Sequence, residues 1–403
     1  MKKNVLSFIL VFALCLPLLV CAACNEDQGI TVTVTETEVT ADSVFNAAGY
    51  GSVYVEGSMD YESGEIISMP QTGLIGPDGR FLFDYKETWL RYYYDPESGI
   101  VTLSGPDYST HYFEESMMIS EELMYDAPRF YTLDGKTAFS VDCCAAFPMR
   151  EGYTVVLRKD PREFSAPDGT EFYADFCLSL IDRSGQAVYD FSGFFGMDIG
   201  GMGDYYYVSY SFASEIARQG DGLIGFGTYR IGEHDDMMEI LDNIVSGRFK
   251  VQGYMDMTGK TVFTLEGYSN MGPFQDGLAF VRDAETGLYG FIDRNGSEVI
   301  PCQYAEVGNF IDGYAYVRQD GLYGYIDKTG TLVIPCEYDA AFGAGSGLFS
   351  VGKDGKYGLV NAANEAVVPL EYDDISSSEC GVAYAVKDHK VSVITISGFE
   401  GTR

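Results

Sequence analysis

Residues Tyr289 to Tyr304 read YGFIDRNGSEVIPCQY. The pattern returns 34 residues later as YGYIDKTGTLVIPCEY from Tyr323, and again as YGLVNAANEAVVPLEY from Tyr357. Gly290, Gly324 and Gly358 are equivalent, as are Pro301, Pro335 and Pro369, and Tyr304, Tyr338 and Tyr372. A fixed period of this size marks a repeat architecture, in which each unit buries an apolar face against its neighbours. The repeated residues are those of packing and turns, which points away from an enzyme.

Helix-hairpin arrays share this period, but the pattern inside a unit is not helical. Leu322 to Asp327 and Thr331 to Ile334 are short β-branched and aromatic runs bounded by Gly, Asp and Pro, at strand length. Asp327 to Gly330 is a tight turn: the acid bonds the backbone ahead of it and Gly supplies a positive φ. Gly313 to Arg318 reads as a third strand. The expected unit is therefore an antiparallel β-meander of about three strands, with the Pro-x-x-Tyr segment leading to the next, and the fold class is all-β.

The turn signature continues outward. Gly79, Gly135, Gly185 and Gly259 precede Gly296, Gly330, Asn364 and Gly398, which gives eight hairpins spaced 56, 50, 74, 37, 34, 34 and 34 residues apart. The array is regular at its end and swollen by insertions at its start. The largest, roughly 212–247, places Met237, Leu241 and Ile244 on one helical face, so one short inserted helix is expected. At the ends, Gly51 to Glu56 resembles the third strand of a unit, whereas the C-terminus stops just after a hairpin. The first piece would complete the last unit in a closed, β-propeller-like ring; the alternative is an open β-solenoid with capping strands.

The N-terminus reads as an export signal. Lys2 and Lys3 precede the apolar stretch Val5 to Val20, too short for a confident membrane span. It closes on Cys21-Ala22-Ala23-Cys24, which resembles the lipobox of bacterial lipoproteins. Cys24 is the better lipidation candidate, because bulky Val20 precedes Cys21. The expected organisation is a signal peptide (1–23), a polar linker (24–44), degenerate repeats with insertions (45–252) and regular repeats (253–403), the last two forming one domain. The Thr/Val alternation within the linker is also compatible with an edge strand. The expected location is the extracytoplasmic face of the cell membrane, reached through the N-terminal lipid.

The chain has 26 Lys and Arg against 60 Asp and Glu, for a net charge of −34. Such a surface repels phosphate backbones and excludes nucleic acid as a partner. Six cysteines lie beyond the lipobox. Cys302 and Cys336 occupy one repeat position where the third copy has Leu370, so this is an apolar packing site and the two are expected as free thiols. Cys143, Cys144, Cys177 and Cys380 carry no such constraint, and a link between the adjacent pair and Cys177 stays open.

The pattern Tyr-Gly-x-Ile-Asp-x-x-Gly…Val-Ile-Pro-x-x-Tyr-Asp, with Phe-x-Asp-Gly-x-Ala-x-Val at Phe274–Val281 and Phe310–Val317, resembles the bacterial WG (KWG) repeat proteins. Tyr289, Tyr323 and Tyr357 stand where that family has Trp. The resemblance covers about Gly253 to Lys387. It implies a β-repeat scaffold, includes exported and lipid-anchored members, and implies no catalytic residues.

No nucleophile elbow, phosphate-cradling loop or Cys-x-x-Cys pair appears, and His111, His234 and His389 are scattered. No metal or cofactor is expected. Asp235-Asp236 and Asp373-Asp374 match no calcium loop and read as solvated turns. With 31 Tyr and 26 Phe, runs such as Tyr92-Tyr93-Tyr94 and Tyr205-Tyr206-Tyr207 should present some rings outward for a glycan or protein. The expected function is an exported, lipid-anchored binding or scaffold module with a protein or glycan ligand. The rival is an envelope glycan hydrolase using a carboxylate pair from 45–252.

Overall fold

A computed structural model describes residues 23–25, 30–60, 65–87, 91–104, 130–143, 145–165, 171–190, 219–228 and 250–398. Each 34-residue block is shared between two four-stranded antiparallel sheets. The block from Tyr323 supplies the third and fourth strands of one sheet (Leu322–Asp327, Leu332–Tyr338) and the first two of the next (Ala340–Gly345, Leu348–Lys353). A three-strand unit is thus corrected to four. The missed strand lies in the expected connection, where it is as short as the two residues Glu306–Val307, too few to show a period.

Eight such sheets form a ring, a β-propeller with eight blades. Blades 1 to 7 span residues 43–87, 91–139, 145–190, 219–264, 268–304, 306–338 and 340–372. Blade 8 takes three strands from 374–397 and its fourth, Ile30–Thr40, from the N-terminus. That strand pairs antiparallel with Lys390–Ser397, from Thr31 opposite Ser397 to Thr40 opposite Lys390, and the ring closes. An open solenoid is excluded. The closing strand is not Gly51 to Glu56, of which all but Glu56 fall in the second strand of blade 1, Tyr50–Val55. Most of the expected linker is instead this strand, because Val32 buries in the core between blades 7 and 8 and Val39 in the core between blades 8 and 1. Gly398 lies just past Lys390–Ser397, whose partner strand comes from the N-terminal part of the chain. The expected helix within 212–247 lies outside the described residues, among which there is no helix.

The core is divided among the junctions between blades. Phe291 and Ile300 of blade 5 pack against Val307, Phe310 and Val317 of blade 6. Tyr325 and Ile334 of blade 6 meet Phe349 and Val351 of blade 7. Each blade therefore buries both faces, which is why Tyr92 and Tyr93, expected to send a ring outward, are both buried and Tyr94 is half-buried. Tyr50 and Phe83 of blade 1 pack edge-on or tilted against Tyr94 and Tyr92 of blade 2. Tyr205 to Tyr207 lie outside the described residues.

Candidate binding face

The repeated motif residues occupy the outer half of each blade. Tyr289, Tyr323 and Tyr357 are first or second residues of third strands, each directly opposite the Tyr of Pro-x-x-Tyr: Tyr304, Tyr338 and Tyr372. Tyr323 is half-buried against the core between blades 6 and 7. Its hydroxyl donates to the Glu306 carboxylate at 2.8 Å, and the Arg318 guanidinium lies over its ring. Burial, reinforced by Glu306, pushes the Tyr323 phenol up to about 12. The glycine that follows is required by a close approach. A Cβ on Gly324 would stand 2.4 Å from the carbonyl oxygen of Ile334, and one on Gly290 2.5 Å from that of Ile300. Pro301, Pro335 and Pro369 are exposed on the outermost strands, where an edge strand tolerates a missing N–H. The register shifts beside them. The three tyrosines thus pack at blade junctions, Gly290, Gly324 and Gly358 sit at close backbone approaches, and the three prolines lie on the exposed rim.

The turn acids behave likewise. Asp256, Asp293 and Asp327 each accept N–H bonds from the residues two and four ahead, at 2.9 to 3.1 Å. The acid of Tyr-Asp caps a different turn: Asp339 accepts the Asp354 N–H and Asp373 the Asp388 N–H, both at 2.8 Å. Its neighbour Asp374 accepts the Val44 N–H of blade 1 at 2.9 Å. The Asp373-Asp374 pair is thus engaged in holding blades 7, 8 and 1 together, with Lys356 on Asp373.

A second device went unseen in the sequence. In the turn between first and second strands, a side-chain oxygen of one blade accepts a backbone N–H from the corresponding turn of the next. Asp221 takes the Gly277 N–H and Asp276 the Gly313 N–H, both at 2.6 Å, and Asp312 takes that of Ser346 at 2.9 Å. Ser346 takes the Gly381 N–H, Glu379 that of Ala48, Asp95 that of Gly152, and Glu151 those of Asp221 and Gly222. Seven of the eight junctions are latched in this way; from blade 1 to blade 2, Ala48 stands in the acid's place. Because these turns touch their neighbours while Leu82, Val188, Val262 and Val299 on the fourth strands are exposed, the first strands line the axis and the fourth form the rim. The acid of Phe-x-Asp-Gly was visible in the sequence as a recurring motif position, but its partner 37 residues away was not.

The antiparallel meander puts the first–second and third–fourth turns of every blade on one face of the ring. The second–third turns and the links between blades lie on the other. In blades 6, 7 and 8 the second–third turn is two residues: Asp320-Gly321, Asp354-Gly355 and Asp388-His389, all with positive φ. In blades 1, 2 and 4 the same connection is residues 56–70, 105–129 and 229–249, and in blade 3 the strands themselves lengthen to 13 and 12 residues. The strand ends at Asp190 and Gln219, between blades 3 and 4, open on the same face. Every insertion that swells the first half of the array therefore emerges on one face, over four consecutive blades. Blade 1 carries there a small hairpin, Ser58–Asp60 with Glu65–Ser68, on which Ile67 is 69% exposed.

Cys302 and Cys336 are free and half-buried, at equivalent places in successive junction cores where Leu370 sits in the third. Burial pushes the Cys302 thiol up to about 11. Cys143 is buried and Cys380 is a free, exposed thiol; the side chains of Cys144 and Cys177 lie outside the described residues. His389 meets Asp42 at 2.8 Å on the surface, while His111 and His234 lie outside the described residues. Among the described residues the carboxyls that burial raises are Asp374 and Glu379, both in blade 8. Among the described residues no group of three or more His, Cys, Asp or Glu is arranged to hold a metal ion. No described helix is long and apolar enough to cross a membrane. Cys24 falls in a three-residue strand, Ala23–Asn25, added to the outer edge of blade 8.

This geometry agrees with the comparison to known families. The model of the WG containing repeat matches residues 253–284, 289–323, 323–357 and 357–390. The second half of the chain carries four WG repeats. A WG repeat here is two strands of one blade and two of the next, and its Tyr-Gly and Pro-x-x-Tyr positions are the outer-strand packing set described above. No curated protein matches the chain. Among solved structures, it is similar to a eukaryotic initiation factor (12% identity, 78% of this chain and 75% of that chain, TM-score 0.39). It is also similar to a catalytically inactive virginiamycin B lyase from Staphylococcus aureus with quinupristin (11%, 90% and 99%, 0.31) and to a streptogramin B lyase (9%, 91% and 98%, 0.31). At these TM-scores the likenesses bear on neither activity nor ligand.

Proposed function

We propose that the protein is an exported, lipid-anchored binding scaffold, and that it holds a protein or glycan partner on the face carrying the insertions of blades 1 to 4. The observation that carries this reading is the segregation of the insertions. Surface connections tolerate elaboration thermodynamically at any turn, yet here they accumulate over consecutive blades at one end of the ring, while the other four blades keep short turns. Loops on a rigid β scaffold are where recognition residues are placed. The repeated residues, by contrast, are all consumed by packing, turns and latches.

The test replaces residues 105–129 and 229–249 by Asp-Gly, the turn of blades 6 and 7. The partner recovered by cross-linking on intact cells should be lost while the melting temperature is kept. Retention of that partner by the folded variant would overturn the assignment of the face. Export and anchoring are tested separately: Cys24→Ala should abolish lipid labelling and remove the protein from the membrane fraction, and unchanged labelling would sink the lipoprotein reading.

A further inference from the structure

The position of Cys24 decides more than whether the protein is anchored. The ring-closing strand begins at Ile30, so only Asn25 to Gly29 separate Cys24 from a blade. Even these residues are not all free, because Cys24 and Asn25 pair with Thr31 and Ile30 along the outer edge of that strand. We infer that the protein stands on the membrane on the rim of blade 8, with blade 4 farthest from the bilayer. This inference rests on lipidation of Cys24.

The argument is one of reach. An extended chain spans at most about 3.6 Å per residue, so with the short edge strand peeled away entirely the lipidated residue lies within about 20 Å of Ile30. With it paired, Cys24 sits in the blade edge itself. A flexible stalk, such as the Thr-rich segment suggests when read as a linker, would let the ring tumble. Here that segment is inside the ring, bonded to Lys390–Ser397 along its length. In an eight-bladed ring the blade across from blade 8 is blade 4, so the blades carrying the insertions run from the membrane-proximal side to the distal pole. The binding face is thereby presented beside the membrane and not pressed against it.

The test uses full-length protein in membranes of cells that lipidate it, with the photo-reactive residue p-benzoylphenylalanine replacing Thr35 or Thr261. Both positions are exposed, the first on the closing strand of blade 8 and the second on the outermost strand of blade 4. Mass spectrometry first establishes lipid on Cys24. Phospholipid adducts are then expected at position 35 and not at position 261. A long Gly/Ser spacer inserted after Asn25 should abolish the adduct at 35 with the lipid still in place, since such a linker behaves as a flexible coil. Equal adducts at both positions on lipidated protein would overturn the orientation and leave the anchor standing. Absence of lipid on Cys24 would overturn the anchor, and the orientation with it.

Discussion

Tyr323 illustrates how one residue serves two blades. Its ring belongs to blade 6, packs on the core shared with blade 7 and hands its hydroxyl back to Glu306 on the first strand of its own blade. The neighbouring Gly324 exists so that the bulged outer strand can cross at contact distance. Truncating a large aromatic that is only half-buried removes less than the full core value. Tyr323→Ala is therefore expected to cost about 2–3 kcal/mol, at or just below the low end of the range for fully buried aromatics. Tyr323→Phe should cost about 1 kcal/mol, the net worth of one hydrogen bond. Urea unfolding measures both. A Tyr323→Ala midpoint equal to that of the parent would show that the ring does not hold the junction and free it for a ligand role.

The hairpin is the element that the sequence displays most openly, and its acid makes it titratable. The Thr258 hydroxyl on Asp256, and the Ser297 N–H on Asp293, hold these carboxyls below the usual range. Their folded pKa values are depressed, so the stability they contribute is present above the ordinary carboxylate pKa and is lost as pH falls through the folded values. The melting temperature should therefore decline on acidification below about pH 4. Asp256→Asn, whose amide oxygen keeps the N–H bonds, should flatten part of that decline; an unaltered profile would contradict the assignment. These turns were readable because Asp-x-x-Gly is local chemistry, complete within five residues. The first strands and the latches between their turns were not. A strand of two residues has no periodicity, and a bond from Asp276 to the Gly313 N–H joins positions that only the ring brings together. The candidate face was half legible: uneven spacing revealed the insertions, but that they share one face follows only from a four-strand count.

At the scale of the whole molecule, stability and display depend on closure. Neighbouring blades share cores, and in a linear array of such units the ends fray first because each has one partner fewer. Here the last blade borrows Ile30–Thr40, whose Val32 packs with the junction of blades 7 and 8 and whose Val39 packs with that of blades 8 and 1. Closing bonds reinforce the seam: the Tyr384 hydroxyl donates to the Gly49 carbonyl, and the Asn46 amide to the carbonyls of Ser377 and Val382. The rigid ring is what lets connections over blades 1 to 4 act as one surface. Removing residues 30–40 opens it, and hydrogen exchange on the deleted and full-length proteins reads the consequence directly. The account predicts that protection falls first in blades 7, 8 and 1, with the second–third-strand amides of blade 8 exchanging near the rate of an unfolded chain. Protection in those three blades equal to that of the full-length protein would contradict the closed ring.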